Sequence, residues 1–228
     1  MSNSTLISYT KLSPNRTSPR NHAIDTITIH CVVGQWTVER IGEEFAQSSK
    51  RASSNYGIGK DGKIGLYVNE ADRSWCSSNA QNDHRAVTIE VASDTTEPYA
   101  VTTAAYESLI KLVADICKRN GIKKLVWSTN KAERVTHQNG CNMTVHRDFA
   151  AKSCPGTYLY SRHGEIADRV NALLTPDKTK EEGSAWSAEA RAWAIETGLV
   201  TGDGKSYGWE KPVTKEQLVT ILHRLTKK

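Results

Sequence analysis

Two segments of the chain carry residues whose types and spacing suit metal chemistry. His30 lies on an apolar stretch, residues 27–31, and His146 and Cys154 flank a short run farther along the chain. Two imidazoles and one thiolate are three ligands that zinc binds well, and they leave a fourth coordination position for water. This ligand count predicts a catalytic zinc site rather than a structural one.

A carboxylate on a second apolar stretch, residues 86–92, extends this chemistry. Side chains alternate along a strand, so His30 shares its face of the first strand with Thr28. By the same alternation Glu90 shares its face of the second strand with Thr88. If the two strands are neighbours with these phases aligned, the imidazole and the carboxylate lie on one surface of the sheet. Glu90 is then the candidate general base and proton shuttle.

Each of these residues has an ordinary structural explanation when it is taken alone. A histidine on an apolar strand is usually a half-buried residue with a satisfied hydrogen bond, and a single cysteine is usually a small buried side chain. Glu90 suits an ion pair, and His146 suits a surface loop. The conjunction favours a site, because the run between His146 and Cys154 also contains Lys152 and is followed by Pro-Gly.

Alternating strands and helices are expected to position these residues. The pattern predicts strands at 24–33, 86–92 and 124–127, a hairpin across 55–68, and helices at 37–50, 102–120 and 159–174. Residues 1–22 are expected to form an extended arm, and residues 128–144 a polar loop that delivers His146. The fold class is therefore predicted to be α/β, with a central mixed β-sheet flanked by helices.

Composition narrows the class of protein. The 228 residues are 38% hydrophobic and 24% charged, which is typical of a folded core rather than of global disorder. The formal net charge of +5 favours an anionic partner. Nucleic acid is not expected as that partner, since no arginine-rich stripe with interleaved aromatic residues occurs. No membrane span is expected either, because no apolar stretch is long enough.

The cysteine count bears on the metal site. Five cysteines are an odd number, which excludes a framework made only of disulfides and favours reduced thiols or metal ligation. Cys76 is a candidate competing thiol ligand, and Cys141 and His137, in the polar loop, are candidate substitute ligands.

The composition changes after residue 175. Residues 1–175 are predicted to form the main domain and 176–184 a polar linker. Residues 185–228 are expected to form a small helical domain, with helices at 188–197 and 214–225. So small a unit has little core of its own.

Taken together, these segments resemble the zinc-dependent N-acetylmuramoyl-L-alanine amidases of type 2, found in phage endolysins, bacterial autolysins and peptidoglycan recognition proteins. The resemblance spans roughly residues 24–174. Its carriers are Thr-Ile-His at 28–30, Ser-Asn-Tyr-Gly-Ile-Gly-Lys-Asp-Gly at 54–62, Val-Thr-Ile-Glu-Val at 87–91, and the run 146–155. The resemblance implies that His30, His146 and Cys154 bind Zn²⁺. It also implies that Tyr56, Glu90 and Lys152 lie near the reacting carbonyl.

The implied activity is hydrolysis of the amide bond between N-acetylmuramic acid and L-alanine in peptidoglycan. A non-catalytic peptidoglycan-binding module and a zinc peptidase acting on the stem peptide are the alternatives. One departure concerns Cys76: many relatives have Ala-Trp-His where this chain has Ser-Trp-Cys at 74–76. That histidine is not a required ligand in the family, so the departure is compatible with activity and predicts a different substrate groove.

The C-terminal segment carries a second resemblance. Residues 186–225 are similar to one S-layer-homology repeat, with lysine at 215 where arginine is usual. Such repeats normally occur in threes, so the resemblance implies binding to a cell-wall polymer and favours a homo-oligomer. No secretory signal is evident at the N-terminus. The protein is therefore expected to be made in the host cytoplasm and to act on the cell wall after release, as a phage or prophage endolysin.

Overall fold

The computed structural model describes residues 2–174, 184–201, 207–209 and 211–226, in two compact units that divide after residue 174. Of the predicted linker at 176–184, all but Ser184 lies outside the described residues. The described helices include none long and apolar enough to cross a bilayer.

The first unit is built on a mixed β-sheet, as the sequence predicted. Its strands are β1 (Tyr9–Thr10), β2 (Arg16–Thr17), β3 (Thr26–Cys31), β4 (Tyr56–Ile58), β5 (Ile64–Leu66), β6 (Arg73–Ser74), β7 (Ala86–Val91) and β8 (Met143–Thr144). Six of the described strands form the main sheet in the order β1-β5-β4-β7-β3-β8, and β2 pairs with β6 separately. The predicted hairpin is the antiparallel pair β4–β5, whereas β3 runs parallel to both β7 and β8.

The register between β3 and β7 decides where the candidate site lies. Thr28 pairs with Thr88 and His30 pairs with Glu90, so the two polar phases are aligned as the sequence analysis required. Both His30 and Glu90 stand near the carboxyl ends of parallel strands, the edge at which α/β sheets commonly bind ligands.

Helices cover the sheet. They are α1 (Val38–Ala46), α2 (Ala80–Arg85), α3 (Thr103–Asn120), α4 (Lys131–Thr136) and α5 (Gly156–Leu174) in this unit. The longest predicted helix has the expected ends: the Thr102 side chain accepts a hydrogen bond from the backbone N of Ala105, and Gly121 closes the helix at φ 72°. Apolar side chains of α3 and α5 pack on the face of the sheet that carries Ile27 and Ile89.

The opposite face of the sheet is polar and buried. Thr28 Oγ1 lies 2.8 Å from Thr144 Oγ1, and Ser74 Oγ lies 2.7 Å from Thr88 Oγ1. Asn82, on α2, donates to Thr28 Oγ1 at 3.1 Å and accepts from Thr144 Oγ1 at 2.9 Å. Burying a hydroxyl or amide group costs free energy unless the group is hydrogen-bonded. These mutual bonds therefore order the polar side chains that lie next to His30 and Glu90 on this face of the sheet.

Two expectations about residues 124–144 were wrong. The predicted strand at 124–127 is absent, because side-chain amides take its backbone bonds: Asn171 Oδ1 accepts from the N of Leu125, and Asn142 Oδ1 accepts from the N of Val126. The edge strand that pairs with β3 is instead β8. The expected loop also contains α4, whose start is capped by the side chain of Asn130.

The second unit contains α6 (Ala188–Glu196) and α7 (Lys215–Thr226), close to the predicted helices. Ala194 and Leu199 are buried, and Arg224 Nη1 donates to the carbonyl of Leu199 at 3.4 Å. Large apolar side chains nevertheless stay exposed along α7; they are Leu218, Val219, Leu222 and Leu225.

Candidate active site

Three residues with metal-binding side chains converge at the carboxyl end of β3. Nδ1 of His30 lies 3.4 Å from Sγ of Cys154, and the rings of His30 and His146 have centroids 5.0 Å apart. One donor atom from each of the three residues lies within 4.8 Å of the others. The arrangement therefore fits one metal ion shared by two nitrogens and one sulfur.

Local turns of the backbone position two of these ligands, His146 and Cys154. His146 begins the 3₁₀ turn His146–Asp148, which Val145 separates from β8, and Cys154 precedes the first turn of α5. Gly156 has φ +79°, and a Cβ placed there would lie 2.7 Å from Cβ of Tyr99. Only glycine fits this position, so the chain can turn sharply into α5 with the Cys154 thiol directed toward β3.

A buried ion pair anchors the turn that carries His146. Arg134, on α4, donates from Nε and Nη2 to the two carboxylate oxygens of Asp148 at 2.9 and 2.5 Å. Asp148 Oδ2 also accepts from the backbone N of Val145 at 3.1 Å, and the guanidinium lies 4.5 Å above the ring of Trp127. The Arg134 side chain is 2% exposed and that of Asp148 is 0% exposed. The pair therefore holds the backbone on both sides of His146 by charge-assisted bonds away from water.

Burial keeps both imidazoles in the form that binds metals. Burial, and then the charge of His146, lower the pKa of His30 well below its usual range. Burial, and then the charge of Lys152, lower the pKa of His146. Since a lowered pKa favours the uncharged imidazole near neutral pH, both side chains offer a nitrogen lone pair.

The Cys154 thiol is held in its protonated form unless a cation displaces the proton. The hydrogen bond with the side chain of Cys31, and then burial, raise the pKa of Cys154 well above its usual range. The backbone N of Cys31 points at Sγ of Cys154 at 3.4 Å, where it can donate to a thiolate. A divalent metal ion at this position deprotonates a coordinated thiol and compensates its charge.

Glu90 stands beside this cluster. Its Oε1 lies 4.0 Å from Nδ1 of His30, and the side chain is 16% exposed. Burial raises the pKa of Glu90 to about 7, which is the range of an effective general base. Among the described residues neither Glu90 Oε2 nor His30 Nε2 has a hydrogen-bond partner. Buried polar atoms without partners are typical of a site that binds another molecule or ion.

Lys152 lies on the exposed turn between His146 and Cys154. Its charge contributes to the lowered pKa of His146, so it acts on the same site at short range. As a residue Lys152 is exposed, so its ammonium group is accessible to a bound substrate.

The structure corrects the expectation that Tyr56 lies near the reacting carbonyl. Its register partner in β7 is Ile89, not Glu90, so its side chain lies on the apolar face of the sheet. The hydroxyl donates to Oε1 of Glu70 at 2.7 Å and accepts from the backbone N of Ser4. Because Tyr56 is fully buried in the core on the opposite face from His30, it does not contact the reacting groups.

Sequence reasoning missed two residues that shape the site. Ser78 Oγ lies 3.0 Å from Nε2 of His146, and Ser78 has φ 62°, which is unusual for a residue other than glycine. The buried carboxylate of Asp83 holds the turn before it, accepting from the backbone N of Cys76 and of Ser77. The sequence Ser-Ser-Asn at 77–79 carries no signal of contact with a residue as distant in the chain as His146.

Two of the further candidate ligands lie elsewhere. Nδ1 of His137 lies 3.0 Å from the carbonyl O of Cys141, and neither residue belongs to a potential metal-binding group in the described part of the chain. Cys76 is different: with His30 and Glu90 it forms a second group whose donor atoms lie within 4.8 Å of one another.

Comparison with protein families gives a match over residues 20–157, to the family described as N-acetylmuramoyl-L-alanine amidase. This range contains each of the three converging ligands. No curated protein matches the chain at a significant level.

Solved structures share the fold at low sequence identity. The N-acetylmuramoyl-L-alanine amidase LysC from Clostridium intestinale URNW is 19% identical with a TM-score of 0.51, and the alignment covers 72% of this chain and 97% of that one. The endolysin LysCS from the same organism is also 19% identical, with a TM-score of 0.51 and coverage of 75% and 99%. An AmpD structure is 17% identical, with a TM-score of 0.52 and coverage of 75% and 96%. These likenesses show a common fold, and they confirm the predicted architecture.

The ion pair under His146 leads to a prediction. Arg134→Met is expected to weaken Zn²⁺ binding by ~10–100-fold, the usual cost of losing support behind a ligand. It should also reduce stability by about 3–5 kcal/mol, because Asp148 is left buried and unpaired. Chelator competition measures the affinity, and thermal unfolding measures the stability.

Arg119→Met is the matched control, because Arg119 Nη2 bonds Oε1 of the buried Glu70 at 2.6 Å on the far side of the sheet. It should reduce stability comparably and leave the metal affinity unchanged. Equal loss of affinity in both variants would show that the Arg134 pair acts only through global stability.

Proposed function

The chain belongs to the N-acetylmuramoyl-L-alanine amidase family, and from that premise we propose that zinc bound by His30, His146 and Cys154 is its catalytic metal. The reaction is hydrolysis of the amide that joins N-acetylmuramic acid to L-alanine in peptidoglycan. The observation that carries the zinc proposal is the convergence of two neutral imidazoles and one thiol within 4.8 Å. Zinc in such a site lowers the pKa of a water molecule and polarises a carbonyl.

The residues around the ligands suit the remaining steps. Glu90, with a pKa of about 7, accepts the proton of the attacking water and passes it to the leaving amine. Lys152 offers a cationic donor to the oxyanion that develops on the carbonyl. Ser78 bonds Nε2 of His146 at 3.0 Å, which fixes the orientation of that ring.

Product analysis tests the reaction. Digestion of purified peptidoglycan should release peptides with a new amino-terminal alanine and leave the sugar strands intact. Cleavage inside the stem peptide would favour a peptidase, and binding without any product would favour a non-catalytic module.

Cys154→Ala should lose zinc, measured as metal per chain, together with the clearing of cell-wall suspensions, because the thiolate neutralises part of the charge of the ion. A zinc-free and fully active Cys154→Ala protein would contradict the proposed centre.

A second variant tests the role of Glu90 as the base independently of zinc binding. Glu90→Gln should keep one zinc per chain and lose at least ~100-fold in rate, the usual contribution of a positioned general base. The amide has nearly the same shape as the carboxylate and no basic oxygen, so folding and ligand geometry are retained. Turnover near that of the wild type at normal zinc content would refute the role of Glu90. Lys63→Gln, on the exposed hairpin, serves as a neutral surface control.

We also propose that the second unit binds the cell wall and that the protein acts as an endolysin outside the cytoplasm. Trp186 is 88% exposed and Trp193 is 51% exposed, and an exposed apolar row follows α7. Exposed aromatic and aliphatic side chains grouped in so small a unit suit a wall polymer or a second copy of this chain. The S-layer-homology repeat and the homo-oligomer remain predictions.

Removal of the second unit tests the anchoring role. A chain ending at residue 179 should bind purified cell walls at least ~10-fold more weakly, since the exposed aromatic contacts are lost, and should still cleave soluble muropeptides. Full-length Trp186→Ala should show the same direction of change by co-sedimentation with walls. Undiminished sedimentation of the shortened chain would contradict anchoring. Light scattering of the full chain measures whether it self-associates.

A further inference from the structure

Cys76 places a thiol beside the catalytic carboxylate, and the proposed reaction does not use it. It follows β6 in a turn whose geometry is fixed, because the backbone N of Cys76 donates to Oδ2 of the buried Asp83 at 2.9 Å. The same carboxylate accepts from Oγ of Ser77 at 2.6 Å. Cys76 is half-buried as a residue.

The Cys76 thiol faces Glu90. Its Sγ lies 3.9 Å from Oε1 of Glu90, and donor atoms of Cys76, Glu90 and His30 lie within 4.8 Å of one another. This second ligand set shares His30 with the zinc ligands and includes the base itself. The other carboxylate oxygen, Oε2 of Glu90, is buried and has no hydrogen-bond partner among the described residues.

Ligand chemistry and spacing suit a second cation. Zinc binds thiolate sulfur at about 2.3 Å and carboxylate oxygen at about 2.0–2.2 Å, so two such ligands at a tetrahedral angle lie about 3.6 Å apart. The observed separation of 3.9 Å between Cys76 Sγ and Glu90 Oε1 is close to that value. A soft thiolate next to a carboxylate selects Zn²⁺ or Cd²⁺ over Mg²⁺ or Ca²⁺.

We propose that Cys76 and Glu90 bind a second Zn²⁺ or Cd²⁺ ion, and that this ion inhibits the enzyme. The thiol proton of Cys76 is released to solvent on binding, and solvent completes the coordination shell. Inhibition follows because a carboxylate that coordinates a cation no longer accepts a proton from water. The inference rests on the proposed zinc centre, whose ion must already be bound at His30, His146 and Cys154 when the second one enters.

Metal stoichiometry tests the inference separately from the zinc centre. Wild-type protein is dialysed against buffers of increasing free Zn²⁺, and bound metal per chain is measured. Two steps are expected, the first tight and the second weaker. Cys76→Ser should retain the first step and lose the second, and Cys117→Ala, which removes a buried thiol in the apolar core, should retain both. Cys76→Ala repeats the test if the serine variant folds poorly.

Spectroscopy and inhibition give independent readouts. Cadmium should produce thiolate charge-transfer absorption in two steps in the wild type and in one step in Cys76→Ser. Excess zinc should reduce wild-type activity at least ~10-fold relative to one equivalent, and each variant is compared with its own activity at one equivalent. A single binding step in the wild type, or an unchanged second step in Cys76→Ser, would overturn the inference. Absence of the first step as well would overturn the zinc centre with it.

Discussion

The pairing of β3 with β7 is the constraint on which the candidate site depends. Because His30 and Glu90 are register partners on parallel strands, the imidazole and the carboxylate reach the same edge of the sheet on the same face. A shift of the register by one residue would turn either side chain into the apolar core. The buried threonine hydroxyls beneath them bond one another and Asn82, and these bonds oppose such a shift.

His146 is held at this edge of the sheet by side-chain contacts rather than by strand pairing. The peptide around His146 has little regular structure of its own, so its position depends on the Arg134–Asp148 pair and on the stacking of the guanidinium over Trp127. A buried ion pair is costly to form, and its retention so close to a metal ligand fits a positioning role better than a contribution to stability. Burial then keeps both histidines uncharged and able to coordinate a metal.

Local patterns predicted the elements with strong periodicity and failed where side chains replaced backbone bonds. The helix over 103–120 followed from apolar spacing, and the hairpin of β4 and β5 lies within the predicted range 55–68. Residues 124–127 had the composition of a strand, yet amides of Asn142 and Asn171 bind their backbone. Tyr56 was assigned to the reaction because of its motif, whereas strand alternation directs it to Glu70 and the core.

The sequence by itself determined the chemistry available to this protein: two histidines and a cysteine of the right types, an acidic residue on the polar phase of a strand, and elements of an α/β fold. Only the tertiary structure decided which of these groups meet. Contacts such as Cys76 with Glu90, Ser78 with His146 and Arg134 with Asp148 depend on crossings between elements. Such contacts leave no periodic signal in the sequence. The partners are far apart along the chain, and local spacing does not determine how the intervening elements cross.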